Sequence, residues 1–354
     1  MTRSKKAYIS GGFLLTAIIL FAALYSCQKK KTTSESYFES MNTFMKVQCY
    51  GENSAKANQQ AQECITKLEQ YLSVTKPESD LFALNTISEE NELLSGYPIS
   101  CKIHQETSQI LSFALDMAAK TDGAFNPCLY PITKAWGFTT KKYQVPDWNL
   151  IHELLRNTDY RKVRVTDDSV TLISGMMIDL GAVGKGFAGD KAIEIMKRNG
   201  IKSAILDLGG NVQTIGSKPD GNPWTVGIRD PFQQGIAASV KVMDKAVITS
   251  GGYERFFTTP DGRKYIHIID SSTGFPVDNE VASVTAIGTS GLYCDALSTS
   301  LFVMGVQKAI SFWRAVSDFD FVMITKGKKA FISKGLADSF KLAKSSDLAV
   351  IVVD

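Results

Sequence analysis

The sequence predicts an α+β fold in which most of the sheet is antiparallel. Short runs rich in β-branched and aromatic residues follow one another with turn signals between them, as in residues 224–250. Stretches with helical spacing of apolar residues lie between these groups of strands. Hydrophobic residues make up 44% of the chain, and residues 44–354 contain no low-complexity linker. We therefore interpret residues 44–354 as one domain with a large core.

The first half of this domain begins with a strand at residues 44–50, where apolar and polar residues alternate. A helix follows, with apolar residues on one face: Ala57, Ala61, Cys64, Ile65, Leu68 and Leu72. A second helix covers residues 105–120 and ends at Asp122-Gly123, and a short surface helix covers residues 147–156. Residues 163–165 and 170–173 are predicted to form a hairpin.

The second half is denser in strands. Strands are predicted at residues 177–180, 203–208, 224–229, 238–242, 246–250 and 281–288. Helices are predicted at residues 186–198, 293–304 and 306–317, and a last hairpin at 319–325 and 329–333.

The N-terminus has the composition of a lipoprotein signal peptide over residues 1–26. Three basic residues precede an apolar run at residues 7–23, and a small residue, Ser26, precedes Cys27. We expect Cys27 to be lipidated and residues 27–43 to combine this anchor with a flexible tether. This predicts a periplasmic, extracytoplasmic protein held on a bacterial membrane. The alternative is a transmembrane anchor, although ~17 apolar residues only just span a bilayer.

Charge and cysteine usage exclude several classes of protein. The net charge of +3 is not clustered, which argues against binding of nucleic acid. The five cysteines after Cys27 are scattered and none lies in a CxxC pair, so neither a disulfide framework nor a zinc site is indicated. One incidental disulfide remains open.

Four polar or glycine-rich clusters interrupt apolar elements at their ends. In residues 178–187 a predicted buried strand runs into three glycines and a helix start, where backbone N–H groups can face phosphate. Residues 207–211 contain Gly209-Gly210, which suit a turn with positive φ. For both clusters a ligand-binding role and a purely structural turn remain open.

The third cluster joins residues 249–255 to a loop that carries His267, Asp270 and Thr273. An ionisable imidazole beside a carboxylate and a hydroxyl suits proton transfer, although a lone histidine is more often structural. In the fourth cluster, Asp295 and Thr299 are four residues apart and project from one helix face. A carboxylate with a hydroxyl suits magnesium, and the alternative is that Asp295 caps the helix.

Taken together, the clusters resemble the motif series of the FAD:protein FMN transferases, the ApbE-like flavin transferases. The matching segments are residues 79–85, 120–125, 136–138, 179–190, 206–211, 250–253, 267–276 and 295–305. The resemblance implies a T-fold-like architecture of two subdomains with mainly antiparallel sheets that enclose an FAD cleft. It also implies an acceptor protein with a Ser/Thr flavinylation motif, a subunit of a membrane redox complex, which receives FMN while AMP is released.

The resemblance also assigns roles to individual residues. It implies that His267 is the general base and that Mg²⁺ is held by the Ala182 carbonyl, Asp295 and Thr299. The residues implied to bind FAD are Thr75, Ala124, Phe125, Asn126, Asp179, Lys185, Gly209, Gly210, Ser250 and Thr273.

The sequence departs from the family at three positions. Asn126 replaces a usual aspartate, Cys128 replaces a common threonine, and Thr75 stands where many transferases have a tyrosine. Some relatives with a small polar residue at the last position hydrolyse FAD. A magnesium-dependent FAD pyrophosphatase and a passive FAD-binding lipoprotein are therefore the alternatives. A solute-binding lipoprotein is disfavoured because it would show two doubly wound lobes.

Overall fold

The computed structural model describes residues 32–91 and 96–354. The helices are α1 Ser54–Leu72, α2 Asp80–Glu90, α3 Gln105–Lys120, α4 Tyr130–Ala135, α5 Trp148–Leu155, α6 Gly184–Arg198 and α7 Gly291–Val316, with 3-10 turns at Tyr160–Lys162 and Lys334–Leu336. The strands are β1 Thr33–Ser40, β2 Thr43–Tyr50, β3 Pro98–Lys102, β4 Arg164–Val165, β5 Ser169–Ile173, β6 Ser203–Asp207, β7 Asn211–Ile215, β8 Trp224–Arg229, β9 Ile236–Val242, β10 Ala246–Gly251, β11 Phe256–Thr258, β12 Lys264–Ile266, β13 Val281–Gly288, β14 Asp320–Thr325, β15 Lys329–Ser333, β16 Phe340–Leu342 and β17 Ala349–Val353.

Nine of these strands form one large sheet. Its order is β1-β2-β6-β7-β10-β13-β14-β15-β17, and smaller sheets are formed by β16-β9-β8, β3-β5-β4 and β11-β12. All pairs in the large sheet are antiparallel except β15 with β17, which are parallel. The predicted α+β class with mainly antiparallel sheets is therefore confirmed.

The large sheet is covered on both faces, and the alternation of its side chains shows how. On β14, Phe321 and Met323 point into the main core, where residues of α1, α3, α6 and α7 pack. Val322 and Ile324 point to the opposite face and pack against the sheet β16-β9-β8. Because successive side chains of a strand face opposite sides, one apolar strand serves two cores.

The predicted helices are confirmed with small differences in their ends. The two helices predicted at residues 293–304 and 306–317 form α7, in which Gly305 adopts φ 72° and ψ 172° and interrupts the helical backbone. A glycine can adopt this conformation without a steric penalty, so a kink replaces the predicted gap between two helices.

Two sequence-based predictions are wrong. The tether predicted to reach residue 43 is ordered from Thr33 to Ser40, where β1 pairs with β2 along its whole length. The polar residues of β1 dock on α1 through hydrogen bonds, such as Ser36 Oγ to Asn58 Oδ1 at 2.6 Å, and so they do not look like core residues in the sequence. Residues 177–180 are extended but belong to no strand, because Asn85 and Pro127 take the backbone hydrogen bonds that a neighbouring strand would take.

Residues 1–26 and Cys27 lie outside the described residues, so the signal peptide and the lipidation stay predictions. Within residues 32–91 and 96–354, no helix has the length and hydropathy needed to cross a membrane. All five cysteines of this part are free thiols, so no incidental disulfide forms there.

Candidate active site

The site centres on the crossing of α6 and α7. The backbone N–H of Gly186 in α6 donates to Oδ2 of Asp295 in α7 at 2.8 Å. A Cβ on Gly186 would lie 2.3 Å from the carbonyl oxygen of Gly291, a distance at which the backbones must move apart. Glycine is therefore required here, because the two helices approach with no room for a side chain.

Asp190 fixes the start of α7. Its carboxylate accepts hydrogen bonds from the N–H of Gly291 at 2.6 Å, the N–H of Leu292 at 3.0 Å and Oγ of Ser290 at 2.8 Å. Burial raises the pKa of Asp190, and these donors oppose that rise. The carboxylate thus satisfies the free N–H groups at a helix N-terminus from a neighbouring helix.

Gln213 on β7 locks the same crossing from the sheet. Its Nε2 donates to the Gly186 carbonyl at 3.1 Å and to Oδ1 of Asn211 at 3.2 Å. Gln213 was not singled out in the sequence, where the neighbouring cluster at residues 207–211 left a ligand-binding role and a structural turn open. The sequence signal that could have found it is the polar residue within the alternating run 211–215.

Asp295 carries the dominant charge of the junction. Its side chain is buried, and burial raises its pKa to about 6 although the positive charge of Lys185 opposes this rise. The amide of Asn211 faces the same carboxylate and also lowers its pKa. Asp295 does not cap its own helix, because the N-cap of α7 is Ser290, whose side chain accepts from the N–H of Tyr293. Its carboxylate instead accepts a free N–H in the first turn of α6.

A cluster of hydroxyl groups lies one helical turn further along α7. Oγ of Ser250 lies 2.8 Å from Oγ of Ser298 and 3.1 Å from Oγ1 of Thr299. Ser250 ends β10, so a strand of the large sheet and α7 contribute to the same polar cluster. Ala182 lies in the turn just before α6, where the N–H groups of Val183 and Gly184 bond the carbonyl of Leu180.

A second group of predicted residues lies on the loop that precedes α6. Oδ1 of Asp179 accepts from the N–H of Gly181 at 2.8 Å, and the N–H of Asp179 donates to the carbonyl of Pro127. Burial raises the pKa of Asp179, and the charges of Arg255 and Lys185 oppose that rise. The Pro127 contact brings Asp179 next to the predicted segment 124–126.

Within that segment the three residues have different environments. The side chain of Asn126 makes two hydrogen bonds to the backbone, both of 2.9 Å. Its Nδ2 donates to the carbonyl of Thr158, and its Oδ1 accepts from the N–H of Cys128. Phe125 is a core residue with 3% exposure, whereas Ala124 is half-buried. The side chain of Phe125 therefore contributes packing, and only its backbone remains for the predicted contact with FAD.

His267 directs one ring nitrogen to the protein backbone. Its Nδ1 lies 3.0 Å from the carbonyl oxygen of Arg255. Burial, together with the charges of Arg255 and Lys185, lowers the pKa of His267 to about 4. The imidazole is consequently neutral at pH 7, and a proton on Nδ1 that binds the carbonyl leaves Nε2 free to accept one.

Lys185 connects these groups electrostatically. Its charge acts on Asp179, Asp295 and His267, so the structure brings together four residues that come from three of the predicted motifs. Arg255 acts on Asp179 and His267 in the same way, although the sequence assigned it no role. Two cations thus lie near two carboxylates and a neutral imidazole, and these cations can attract the phosphates of an anionic ligand.

The remaining predicted residues lie on exposed turns around this centre. Thr273 follows Ser271, whose Oγ donates to the carbonyl of Gly123 and so joins this turn to the segment 124–126. Gly209 and Gly210 form the turn between β6 and β7 with φ values of +71° and +86°, which confirms the turn with positive φ that their sequence suggests.

Thr75 lies on the exposed loop between α1 and α2, where its Oγ1 is 3.1 Å from Oγ of Ser73. The next residue back, Val74, accepts a hydrogen bond from the hydroxyl of Tyr130 at 3.4 Å. Burial raises the pKa of Tyr130 to about 12, and the charge of Asp179 raises it too. Tyr130 thus lies between the Thr75 loop and the Asp179 loop.

In the described chain, no three histidine, cysteine, aspartate or glutamate side chains are grouped so that they could hold a metal ion. A cation at the junction would depend on one carboxylate with hydroxyl and carbonyl oxygens.

Comparison with known proteins agrees with this geometry. The model of the ApbE family matches residues 41–323. The FAD:protein FMN transferase of Treponema pallidum is 34% identical over 324 residues, which cover 85% of this chain and 87% of the relative. A Klebsiella pneumoniae protein of the same name is 30% identical over 292 residues, with 81% and 87% covered.

Solved structures share the fold over most of their length. An ApbE protein from Thermotoga maritima has a TM-score of 0.75 at 29% identity, covering 84% of this chain and 95% of the other. The flavinyl transferase ApbE of Pseudomonas stutzeri has a TM-score of 0.74 at 24% identity, covering 84% and 92%. The resemblance seen in the motif series is confirmed, and this chain belongs to the ApbE family.

Proposed function

We propose that this chain is a magnesium-dependent FAD:protein FMN transferase, which moves FMN from FAD to a serine or threonine hydroxyl of an acceptor protein and releases AMP. The observation that carries the proposal is the position of Lys185, whose charge reaches Asp179, Asp295 and His267 at once. The names of the relatives from Treponema pallidum and Klebsiella pneumoniae support the same reaction.

Breaking the pyrophosphate of FAD requires its negative charge to be neutralised and the nucleophile to be placed in line. Lys185 and Arg255 supply positive charge without a metal. Burial keeps the imidazole of His267 neutral in the free enzyme, and these two charges lower its pKa as well. When the anionic phosphates bind, they compensate these cations, and the imidazole becomes a better proton acceptor.

In the transfer step, the free Nε2 of His267 accepts the proton of the acceptor hydroxyl. The acceptor hydroxyl oxygen attacks the phosphorus on the FMN side, and its proton passes to Nε2. The bond between that phosphorus and the bridging oxygen breaks, and AMP leaves with this oxygen. FMN remains on the acceptor as a phosphoester.

The residues fit a magnesium ion. The charge of the buried Asp295 carboxylate is under-compensated, because its pKa stays raised to about 6 in spite of Lys185. With the hydroxyl of Thr299 and the carbonyl of Ala182 it offers the oxygen ligands that a hard cation prefers. A bound ion would neutralise phosphate charge in the transition state.

A direct test is to incubate the full chain with FAD and magnesium and to quantify AMP, free FMN and protein-bound FMN, with and without candidate acceptors. Transfer predicts bound FMN equal to the AMP formed. Free FMN equal to AMP would instead indicate the pyrophosphatase, for which Thr75 is the supporting observation. No AMP under any condition would leave only passive FAD binding and would contradict the proposal.

We further propose that the enzyme works on the extracytoplasmic side, anchored through Cys27, with a membrane redox-complex subunit as its acceptor. The sequence of residues 1–27 supports the anchor, and the class of acceptor is what the family resemblance implies. In Cys27→Ser, lipidation and signal cleavage should both be blocked, while FAD cleavage by the detergent-solubilised protein stays at the wild-type rate. Normal acyl labelling of Cys27→Ser would show that the anchor lies elsewhere.

A further inference from the structure

A group of aromatic rings lies beside His267 and takes no part in the chemistry described above. The rings surround a small separate core formed by Ile132, Trp136, Ile151 and Ile269. We call their outer side the aromatic face, and define it by Phe138, Tyr143, Trp148, Phe257, Tyr265 and Phe275. The segment 138–148 and the hairpin β11-β12 supply most of it.

The rings form a continuous path from the surface to the candidate base. The centroid of Tyr143 lies 5.8 Å from that of Phe138, and Phe138 meets the His267 ring edge-on at 6.4 Å and 68°. Phe257 stacks on Tyr143 at 5.2 Å and 14°. A molecule that lies on the exposed rings is therefore next to His267.

Several apolar side chains in and beside the aromatic face are exposed to solvent. Tyr143 is 43% exposed and Trp148 59%, and the neighbouring Val145 and Leu150 are 45% and 42% exposed. Contiguous exposed apolar groups mark interaction sites, and tyrosine and tryptophan supply much of the binding energy in protein interfaces.

The charges around the aromatic face are mostly positive. Residues 138–148 and 255–266 together contain five basic side chains, Lys141, Lys142, Arg255, Arg263 and Lys264, and two acidic side chains, Asp147 and Asp261. A partner of opposite charge is favoured on such a surface.

We propose that the aromatic face binds the acceptor protein through an acidic segment with aliphatic side chains, which brings its serine or threonine hydroxyl to His267. This inference rests on the proposed transferase function. Tyrosine, tryptophan and lysine are also typical of membrane-interface surfaces. The path of rings that ends at His267 favours the acceptor, because a lipid surface has no need to reach the base.

The test uses two exposed rings and one matched control in the full chain. Tyr143→Ser and Trp148→Ser remove rings of the aromatic face, and Tyr97→Ser removes a 66% exposed tyrosine that belongs to no ring contact of this cluster. The probe is a synthetic peptide with a single threonine among aspartates and leucines. A second peptide has lysines in place of the aspartates.

With the acidic peptide, both ring variants should raise the KM for peptide about tenfold, while Tyr97→Ser matches wild type. The lysine peptide should be a poor acceptor for all proteins. FAD binding and AMP release without peptide should be unchanged in every variant, since none of these residues contacts the junction of α6 and α7.

Several results would overturn the inference alone while FAD is still cleaved. They are an unchanged KM in the ring variants, equal labelling of both peptides, or labelling of neither. Loss of binding to anionic phosphatidylglycerol vesicles in the ring variants, with peptide labelling unchanged, would assign the aromatic face to the membrane. Absence of FAD cleavage in wild type would contradict the proposed function itself.

Discussion

The junction of α6 and α7 and the aromatic face border the same site but are built in opposite ways. At the junction, Gly186, Asp190 and Asp295 are held by backbone hydrogen bonds and close backbone approach. At the aromatic face, Tyr143 and Trp148 are exposed and contact mainly other rings.

This difference indicates two kinds of recognition. A nucleotide of fixed shape needs charges held at fixed positions, which the interlocked junction supplies. Exposed aromatic side chains can instead bind a protein acceptor, because they can adjust to its surface and single substitutions among them are tolerated. Changes at the junction should therefore abolish the reaction, whereas changes around the aromatic face and the outer loops should be graded.

The largest effect is expected for Asp295→Ala. Removal of the buried carboxylate should lower FAD cleavage by about a thousandfold, because several kcal/mol of charge stabilisation are lost at the phosphates. FAD binding should weaken only when magnesium is present. Initial rates of AMP release and FAD titrations with and without magnesium measure both effects.

Asp295→Asn separates charge from architecture. It keeps an oxygen that can accept the Gly186 N–H but removes the negative charge. We expect Asp295→Asn to fold like wild type and to be as inactive as Asp295→Ala. Wild-type activity and an unchanged magnesium requirement in either variant would contradict the metal assignment.

The next largest effect is expected for Gly186→Ala. The added methyl group would lie 2.3 Å from the Gly291 carbonyl oxygen and 2.8 Å from Cβ of Asp295, so the helices must separate. The free energy of unfolding should fall by about 1–3 kcal/mol, as for other overpacked sites. Chemical denaturation measures it, and the rate of FAD cleavage should fall with it.

Gly184→Ala is the matched control, because it lies in the same helix and a Cβ there meets nothing within 4 Å. Its unfolding free energy should stay near that of wild type. Equal destabilisation of both variants would indicate that α6 requires glycine for backbone reasons, and the close crossing would no longer explain Gly186.

These two regions also differ in how far the sequence predicts them. The motifs at the junction could be found because glycines and carboxylates interrupt apolar runs, and Lys185 and Asp295 are brought together as expected. The partners of Asp190 and the position of Gln213 could not be found, because they are contacts between residues distant in the sequence.

The sequence analysis predicted no aromatic face, and it singled out residues 136–138 and 267–276 only as part of the family resemblance. Trp136, Phe138 and Phe257 are ordinary core-type residues in the sequence, and only the packing of the β11-β12 hairpin on residues 136–148 gathers them. The predicted tether failed for a related reason. Its polar residues are satisfied by α1, which the alternation of apolar residues does not record.

A smaller effect is expected on the outer loop with Thr75→Tyr. A tyrosine here could stack on the flavin ring and exclude water, whereas threonine leaves the pyrophosphate more accessible. We expect some magnesium-dependent release of AMP and free FMN by wild type without an acceptor. Thr75→Tyr should lower this hydrolysis about two- to tenfold and tighten FAD binding.

Thr75→Val is the control for the ring, because it removes the hydroxyl that lies near Ser73 without adding aromatic area. It should hydrolyse FAD at close to the wild-type rate. The same rate in wild type and Thr75→Tyr, or no hydrolysis in wild type, would leave this position without influence on the choice of nucleophile.

The smallest effect is expected for Arg255→Gln, read out as the pKa of His267. Burial is the main cause of its lowered pKa of about 4, and the Arg255 charge adds to it. Loss of that charge should raise the pKa only part of the way towards 6.5, because burial remains. NMR titration of the His267 ring measures this, with the signal assigned by its loss in His267→Gln.

The lowered pKa of His267 also makes the stability of the fold depend on pH. Between pH 6.5 and about 4, His267 is protonated in the unfolded chain but neutral in the folded protein. The free energy of unfolding therefore falls as the pH falls through this window. Arg255→Gln should narrow this pH window, because it raises the pKa of folded His267 towards 6.5. Arg229→Gln, whose partner is Glu254, should leave it unchanged. If both variants gave the wild-type titration, the lowered pKa of His267 would be caused by burial and Lys185 alone. Arg255 could then contact the acceptor without affecting His267.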